Sequence, residues 1–598
     1  MNPTDTSGSG YFLKVVDCQW ACPAHTPVPE YIRMVANGQH SDAYLLNWHS
    51  NLLPGVLGRT CDRPCEPACR RLRVDHEGVA ICRLKRVVAD FKDDIRGRLP
   101  KPAVTNGKRI ALVGAGPASL SAARDLALLG YSCEILDDSV KAGGMIRSRI
   151  PNFRLPETTL DEECGYVLDL GVRLRAGRKI DSLKNLLRET YDAVLVATGA
   201  PRGRDLEIPG RQEATQHIQL GLYWLASVRF GHVARIGRRV LVLGGGNTAM
   251  DCSRMARRLG GEKVTVVARS SFEEMKASAW ERSEAAREGV EILNCLVPKE
   301  FKHVNGRLIG VTFEKVAVLH DAGGKRRLEP IGAPDVFLEC DDVLIAVGQE
   351  TAFPWVERDI VAFDPPGQPK LDPITLQSSC PKVFFAGDAA SGAKNIVSAV
   401  ASGRTAAISI DLFCRGRDLH ERPSPRAFLT ARERNAVWQY SIEPSLDNRF
   451  SVPVRDSVLA LAKLDVEVEL GFDPETAIRE AHRCLNCDVQ TVFSPTLCIE
   501  CRACVEICPT RCITFTSNGE EADLRTRLNG PSANLEQALY VASGLQSDHV
   551  MVKDENICLH CGYCAEHCPT GAWDMQRFIV ESARAGDPVE NCKQVRTA

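Results

Sequence analysis

Residues 108–138 read KRIALVGAGPASLSAARDLALLGYSCEILDD. The pattern is typical of a strand, a glycine turn, a helix and a second strand that ends in an acid. Gly114 permits the tight turn, and Gly116 lets the backbone approach a pyrophosphate at the helix N-terminus. Asp137 could accept a hydrogen bond from a ribose hydroxyl. Ser119 replaces the usual third glycine, so we expect slightly looser packing of the helix on the strand.

A second unit of the same kind occupies residues 237–270, GRRVLVLGGGNTAMDCSRMARRLGGEKVTVVARS. Its turn carries small residues at the expected positions, among them Gly244 and Gly246. The strand after its helix ends at Arg269 instead of an acid. An arginine there suits the 2′-phosphate of NADP, whereas a carboxylate would repel it. The pattern favours NADP(H). NAD(H) stays open, because Arg269 could be merely solvated.

Three further segments resemble the FAD-binding segments of two-domain flavoprotein reductases. They are KAGGMIRSRIPNFRLPE at 141–157, DAVLVATGA at 192–200 and KVFFAGDAASGAKNIVSAVASGRTAA at 382–407. In the last one, Gly387 and Asp388 match the position of an acid on the flavin's ribityl chain. Because this segment returns so late, the resemblance implies that residues from about 200 to 345 are inserted into the FAD domain.

The predicted nucleotide-binding residues follow from these units. They are Gly114, Gly116, Pro117, Ala118, Ser119, Asp137, Gly144, Met145, Arg154, Thr198, Gly199, Gly244, Gly246, Asn247, Thr248, Arg269, Gly387 and Asp388.

The 25 cysteines are unevenly spread: six lie between Cys18 and Cys82, seven are scattered, and twelve lie from Cys484 onward. The N-terminus lacks the basic and apolar regions of a secretory signal, so we expect a reducing cytoplasm. There, clustered cysteines indicate metal rather than disulfides.

Two C-terminal runs repeat one spacing, C-x2-C-x2-C-x3-C-P: CIECRACVEICP at 498–509 and CLHCGYCAEHCP at 558–569. This is the run of bacterial two-cluster ferredoxins, in which the fourth cysteine of each run binds the other run's cluster. Zinc would not require the trailing prolines. One predicted cluster uses Cys498, Cys501, Cys504 and Cys568, and the other uses Cys558, Cys561, Cys564 and Cys508. Cys512 and Cys592 are left over, and we expect them to be structural.

Residues 11 to about 415 resemble the small subunit of bacterial glutamate synthase and its relatives, including the reductase half of dihydropyrimidine dehydrogenase. The motifs appear in the family's order: CQWACPAHTPVPEYI, GRTCDRPCEPACRR, VGAGPAS, GGMIRSRIPNFRLP, ATGA, GGGNTAMD and AGDAASG. The resemblance implies an N-terminal helical domain with two 4Fe-4S clusters, an FAD domain and an inserted NAD(P)H domain.

The family's first cysteine pair is missing, since residues 1–17 contain no cysteine. EAHRCLNC at 480–487 looks like that pair displaced to the other end of the chain. Cluster iron binds thiolates regardless of chain order, so a returning tether could supply them. By the family positions, one cluster takes Cys18, Cys69, Cys484 and Cys487.

The other N-terminal cluster would take Cys22, Cys61 and Cys65. Relatives supply its fourth ligand from a Gln or Glu, but the matching residue here is Lys85, whose ammonium has no lone pair. Cys82 lies one helical turn earlier and is the predicted ligand. The alternative is that Cys82 is a buried hydrophobe and this cluster is labile or absent.

The predicted fold is multidomain α/β: a helical N-terminal iron-sulfur domain, a two-domain FAD/NAD(P)-binding flavoprotein core with an inserted nucleotide domain, and a C-terminal α+β two-cluster ferredoxin domain. The expected boundaries are 1–105, 106–200 with 345–415 for FAD, 201–344 for NAD(P)H, 416–490 for a tether and 491–598 for the ferredoxin. A net charge of -2 gives no excess of positive charge that would indicate nucleic-acid binding. No apolar run of about 18 residues is expected to span a bilayer.

Nicotinamide transfers two electrons as a hydride, a cluster passes one, and a flavin can stand between them. The sequence predicts hydride exchange between NAD(P)H and FAD, then single-electron transfer through the N-terminal clusters to the ferredoxin module, or the reverse. This step needs no side-chain acid, base or nucleophile, so no catalytic residue is predicted.

No signature of substrate chemistry is visible, so we expect a catalytic partner subunit in a hetero-oligomer. Within the family, such partners are of the glutamate synthase, 2-oxoacid:ferredoxin or aldehyde/formate oxidoreductase type. Two alternatives stay open: a free-standing or bifurcating NAD(P)H:ferredoxin oxidoreductase, and a non-catalytic electron relay.

Overall fold

The structure, a computed structural model, describes residues 16–321, 323, 326–432, 445–517, 549–553, 557–589 and 596–597. The described chain begins with a helical domain. Its helices are α1 Asp17–Ala21, α2 Val28–Ala36, α3 His40–Asn51, α4 Pro54–Thr60, α5 Leu72–Asp75 and α6 Ile81–Asp90. Proline opens α2 and α4, where its missing N–H costs no helical hydrogen bond.

The second domain is built on a parallel sheet. Its strands are β1 Arg109–Val113, β2 Ser132–Leu136, β3 Arg173–Arg175, β4 Ala193–Val196 and, much later, β16 Val383–Phe385. Their order is β16-β4-β1-β2-β3. Val113 is in register with Leu136 and with Val196. The residues after these three strands therefore meet at one edge of the sheet, where parallel sheets bind ligands.

The helices of this domain are α7 Pro117–Leu128, α8 Gly144–Arg149, α9 Glu157–Leu168, α10 Leu183–Leu186, α14 Asp388–Ser391 and α15 Ile396–Cys414. Helix α15 packs closely on α7 at Gly403. A Cβ at this position would lie only 2.2 Å from the Ala118 carbonyl oxygen, so a larger residue would not fit. By length and composition, α15 could cross a membrane, so the expectation that the chain has no such apolar run is wrong. Its apolar character has another cause: 67% of the apolar stretch is buried inside the fold.

The inserted domain repeats this architecture. Its parallel sheet has the order β6-β14-β7-β8-β9, with β6 Ile218–Leu220, β7 Arg239–Leu243, β8 Lys263–Val267, β9 Glu291–Leu293 and β14 Asp342–Ile345. Its helices are α11 Gly221–Arg229, α12 Asn247–Arg258 and α13 Ala279–Arg287. Leu243 is in register with Val267 and with Ile345. A second glycine turn thus stands at the carboxyl edge of a second parallel sheet.

An antiparallel layer completes the insert. Its strands are β10 Leu296–Val304, β11 Arg307–His320, β12 Arg326–Pro330 and β13 Val336–Glu339. The two chain crossings between the domains, β5 Arg202–Gly203 and β15 Gln349–Glu350, pair antiparallel. The chain therefore enters and leaves the insert side by side.

The C-terminal part is tied to the segment before it. The elements are β17 Arg426–Arg432, α16 Ser457–Ala462, α17 Pro474–Ala481, β18 Val489–Phe493, α18 Ala503–Ile507, β19 Ile513–Ser517, β20 His549–Lys553, α19 Tyr563–Glu566, β21 Trp573–Glu581 and β22 Arg596–Thr597. One sheet has the order β18-β21-β17-β22, and β19 pairs with β20. The segment predicted as a tether thus contributes a strand to the C-terminal sheet. The predicted fold class is confirmed.

Candidate functional site

A cavity of about 630 Å³ opens where the carboxyl edges of the two parallel sheets face each other. Fourteen of the predicted nucleotide residues line it: Gly114, Gly116, Pro117, Ala118, Asp137, Gly144, Met145, Arg154, Thr198, Gly199, Asn247, Thr248, Gly387 and Asp388. Elements of both nucleotide units thus border one space.

The two glycine turns have the same local geometry. Gly114 and Gly244 both have positive φ, and a Cβ would lie 2.6 Å from the Ala197 carbonyl oxygen at Gly114 and 2.3 Å from the Ala346 carbonyl oxygen at Gly244. At Gly116 and Gly246 a Cβ would meet nothing within 4 Å. Only glycine fits the first position of each turn, and the second leaves the helix N-terminus open to a phosphate.

Polar groups on the FAD side of the cavity also suit a dinucleotide. The buried hydroxyl oxygen of Thr198 has no hydrogen-bond partner in the described protein. Asp137 accepts a hydrogen bond from the backbone N–H of Ala115 at 2.6 Å, which fixes the acid against the glycine turn. Helix α15 begins at the cavity wall, capped by the side chain of Asn395. The cavity therefore offers an unsatisfied hydroxyl, an acid and a helix N-terminus, a donor set that fits FAD.

Four predicted residues do not line this cavity. Ser119 is fully buried, so its side chain faces the protein interior. Gly244 and Gly246 lie at the second turn, which reaches the cavity only through the start of α12. Arg269 is exposed at the end of β8, as an approach to a 2′-phosphate requires.

Arg154 does more than border the cavity. One terminal nitrogen of its guanidinium donates to both carboxylate oxygens of Asp251 in α12, at 2.6 and 2.8 Å, and the other terminal nitrogen contacts the carboxyl group of Glu281. Burial raises the pKa of Glu281 to about 8. Because Arg154 belongs to the FAD-side segment and both acids belong to the insert, this buried network holds the two nucleotide units together.

The displaced cysteine pair lies beside the N-terminal domain. A small cavity is lined by Cys18, Cys69, Cys484 and Cys487, the four residues predicted to share a cluster. Cys18 and Cys487 are buried, and the other two are half-buried. Four thiols around one cavity are the donor set that a 4Fe-4S cluster needs. Among the described residues, no three His, Cys, Asp or Glu side chains are spaced to hold a single metal ion.

Helix α17 brings the pair to this place. Its first turn is capped by Asp473, and the helix packs against α2. Buried Glu480 accepts a hydrogen bond from the backbone N–H of Ala80 at 2.7 Å. Buried Arg483 donates to Asp75 at 2.9 Å. These contacts anchor the residues just before Cys484 to the N-terminal domain.

The second group of N-terminal cysteines surrounds Lys85. Cys22, Cys61, Cys65 and Cys82 are all buried in the same core, and each of them interacts with the Lys85 ammonium. Lys85 is buried; desolvation lowers the pKa of its ammonium group, but the interaction with the neighbouring cysteines, Cys82 first, outweighs this and raises the pKa. Cys82 therefore lies in the same buried core as the other three cysteines of the predicted set, and its role as the fourth ligand stays a prediction.

The ferredoxin runs have the same backbone geometry. The N–H of Glu500 donates to the Cys498 sulfur at 3.4 Å, and the N–H of His560 donates to the Cys558 sulfur at 3.4 Å. Cys504 faces Cys498, Cys501 and Cys568. Another cavity is lined by Cys508, Cys558, Cys561 and Cys564, together with Cys512. The structure thus brings together both predicted sets of four, with one cysteine added to the second.

Family models match three parts of the chain. They are described as pyridine nucleotide-disulphide oxidoreductase (residues 108–403), dihydropyrimidine dehydrogenase domain II, 4Fe-4S cluster (13–96), and 4Fe-4S dicluster domain (497–572). The NADP(+)-dependent formate dehydrogenase subunit beta of Moorella thermoacetica is 35% identical, over 79% of this chain and 70% of its own length. The NADPH-Fe(3+) oxidoreductase subunit beta of Geobacter sulfurreducens is 32% identical, over 79% and 75%. The glutamate synthase [NADPH] small chain of Escherichia coli is 30% identical, over 66% and 87%.

The chain belongs to the glutamate synthase small subunit-like family. Like the other members of this family of FAD/iron-sulfur oxidoreductases, it is an enzyme that binds a pyridine nucleotide, FAD and 4Fe-4S clusters.

In this member of the glutamate synthase small subunit-like family, the N-terminal domain touches the nucleotide cavity. Thr60 and Asp62, on either side of Cys61, line the cavity. Asp62 accepts a hydrogen bond from the Asn247 amide at 3.0 Å. The guanidinium of Arg63 stacks on the ring of Trp280 in the insert, 4.0 Å from its centroid. The loop that carries Cys61 therefore contacts the insert directly.

The N-terminal domain also touches the ferredoxin module. Arg70, the residue after Cys69, donates to Asp17 at 2.6 Å and to the Cys558 carbonyl oxygen at 3.2 Å. Its guanidinium also contacts the His560 ring nitrogen at 2.6 Å. The side chains of Arg70, Asp17 and His560 are all buried. Arg70 therefore forms a buried bridge between the cysteine group that contains Cys69 and the one that contains Cys558.

Sequence reasoning missed three of the residues that connect these sites: Asp62, Arg70 and Asp251. Each stands beside a motif residue and contacts an element distant in sequence, so no local pattern marks its role. Asp62 lies within the motif CDRPC and Asp251 within NTAMD, but a position inside a motif does not show which distant residue the side chain contacts.

Proposed function

We propose that the protein is the NAD(P)H-linked electron-transfer subunit of a larger oxidoreductase complex. The observation that carries the proposal is the shared cavity, which is bordered by both glycine-turn units and by the loop of Cys61. This arrangement supports the binding of NADP(H) and FAD in one shared cavity. Bound there, FAD would exchange a hydride with the nicotinamide and pass electrons on singly.

The chain's own residues orient and shield the cofactors. The two glycine turns fix the phosphates, and the Arg154–Asp251 pair holds the insert over the FAD side. Apolar Leu222 and Leu225 of α11 line part of the same cavity and give it an apolar wall. No side chain has to accept or donate a proton for hydride exchange, so the catalytic contribution is positioning.

We propose a relay of four clusters in a fixed order. The group of Cys22, Cys61, Cys65 and Cys82 stands first, because the neighbours of Cys61 line the cavity. Buried Tyr31 lies among this group and Cys18, which belongs to the next one. The Arg70 bridge then leads from the Cys69 group to the Cys558 group. The group with exposed Cys501 stands last, at the protein surface.

The partner is proposed from the chemistry and from the relatives' names. Electrons leaving an exposed ferredoxin-type centre suit a partner that already exchanges electrons with ferredoxin. Both relatives named as beta subunits belong to NADP(+)- or NADPH-linked enzymes. We therefore propose NADP(H) as the nucleotide, a cytoplasmic hetero-oligomer as the assembly, and a catalytic partner of the formate dehydrogenase or related type.

Flavin bleaching tests the function. NADPH should bleach bound FAD in the purified, reconstituted chain and drive reduction of a viologen dye. Gly244→Val is the matched variant, because its side chain would collide with the Ala346 carbonyl while the FAD turn stays intact. It should retain FAD and lose bleaching by NADPH. If neither NADPH nor NADH bleaches the FAD bound to the native chain, the proposed function is wrong and the non-catalytic electron relay is the remaining alternative.

A further inference from the structure

The two ferredoxin runs have nearly the same backbone conformation. Glu500 and His560 have φ of 54° and 55°, and the next left-handed pair, Arg502 and Gly562, has 63° and 80°. Cys508 and Cys568 each contact a threonine hydroxyl two residues later at 3.7 Å. The repeat therefore provides an internal reference for any difference between the runs.

The difference lies four residues after the fourth cysteine, where one run has Cys512 and the other has Ala572. The backbone is the same at both places: the N–H of Cys512 donates to the Cys508 sulfur at 3.3 Å, and that of Ala572 donates to the Cys568 sulfur at 3.2 Å. Only the thiol distinguishes the two positions.

That thiol faces the predicted cluster ligands. Cys512 is 5% exposed, and its sulfur lies 3.4 Å from the Cys508 sulfur. It also lines the same cavity as Cys558. Five thiols therefore line a cavity for which a cluster needs four. A thiol held among ligands of its own kind is chemically equivalent to them, and burial protects it from competing reactions.

We propose that Cys512 is a reserve ligand of the cluster at Cys558, Cys561 and Cys564, able to replace Cys508. The inference rests on the proposed cluster assignments. While Cys508 is bound to iron, the Cys512 S–H donates to its sulfur. In the exchange, one iron–sulfur bond to Cys508 breaks and one to Cys512 forms. Cys512 loses its proton, Cys508 gains one, and no electron is transferred.

Iron content of the full-length, reconstituted chain tests the proposal. Cys508→Ala should keep the native iron content, whereas Cys508→Ala/Cys512→Ala should lose about four Fe per chain. The other run is the matched control: Cys568→Ala should lose about four Fe, because Ala572 offers no thiol. An equal loss in Cys508→Ala and in the double variant would overturn the proposal.

A gain-of-function variant in the other run tests the proposal even if the Cys508 variants do not fold. Cys568→Ala/Ala572→Cys should recover the iron and the electron paramagnetic resonance signal that Cys568→Ala loses, since the backbone already has the required geometry. No recovery in a chain that retains FAD would contradict the reserve role. Flavin bleaching by NADPH, read in the same samples, separates this outcome from failure of the proposed function.

Discussion

Arg33 and Asp488 form a buried bidentate ion pair, with nitrogen–oxygen distances of 2.6 to 3.1 Å. Arg33 lies on α2 of the N-terminal domain, and Asp488 follows Cys487 directly. More than 400 residues separate the two side chains in sequence. The pair therefore locks the displaced cysteines against the domain whose cluster they are proposed to complete.

Loss of the Arg33 charge should loosen this connection. Arg33→Met leaves the Asp488 carboxylate buried without its partner, which costs about 3–5 kcal/mol in comparable pairs. We expect faster hydrogen exchange in residues 481–490, measured by mass spectrometry. Arg98→Met, at an exposed arginine of the same domain, is the control and should change nothing there. Unchanged exchange in Arg33→Met would mean that other contacts alone hold the pair.

The Arg70 bridge should couple two clusters. Arg70→Met removes the contacts to Asp17, the Cys558 carbonyl and His560, so magnetic coupling between the adjacent clusters should weaken in the reduced protein. Arg70→Lys should restore only part of it, because lysine cannot reproduce the planar fork. Arg73→Met is the control, since Arg73 lies 3.9 Å from Asp17 and is exposed. Native coupling in Arg70→Met would argue against the proposed order of the relay.

Arg269 should set the preference for NADPH. Arg269→Asp places a carboxylate where a 2′-phosphate is expected, so KM for NADPH should rise at least about tenfold while KM for NADH changes little. Arg238→Asp, at the opposite end of the same sheet, serves as the control. Similar losses for both nucleotides would leave Arg269 without a role in specificity.

Glu281 should make stability depend on pH. It is buried among Arg154, Asp251, Arg254 and Glu284, and burial raises its pKa from 4.5 to about 8. The folded protein then holds a proton that the unfolded chain has lost, so this contribution to stability falls as pH rises through 8. Glu281→Gln should flatten the decline in melting temperature between pH 5 and 9, followed by flavin fluorescence. A slope equal to that of the native protein would show that Glu281 is ionised throughout.

The sequence was sufficient for the elements whose chemistry is local. Both glycine turns, the two ferredoxin runs and the fold class follow from spacing, because Gly114 or Cys498 must occupy fixed positions within a short segment. The pair at Cys484 and Cys487 could be predicted as displaced ligands because its motif is local; the structure places it beside Cys18 and Cys69, and its role as a ligand pair stays a prediction.

The remaining features depend on contacts between distant segments. Arg154 was predicted to bind a cofactor, but its partners Asp251 and Glu281 belong to another domain. The apolar stretch of α15 was overlooked because its pattern lacks the length of continuous apolar residues that marks a span, and its burial is a tertiary property. The contribution of β17 to the C-terminal sheet had no signal, because strand partners are set by the complete fold.

The displaced ligand pair is tested most directly by iron analysis and electron paramagnetic resonance of full-length Cys484→Ala/Cys487→Ala. The native chain should contain about sixteen Fe, and the variant should lose about four together with one N-terminal signal, while FAD and both ferredoxin signals persist. Cys133→Ala/Cys164→Ala, at two buried cysteines outside every group, is the control and should keep all its iron. Native iron content and an unchanged N-terminal signal in the Cys484/Cys487 variant would contradict the account.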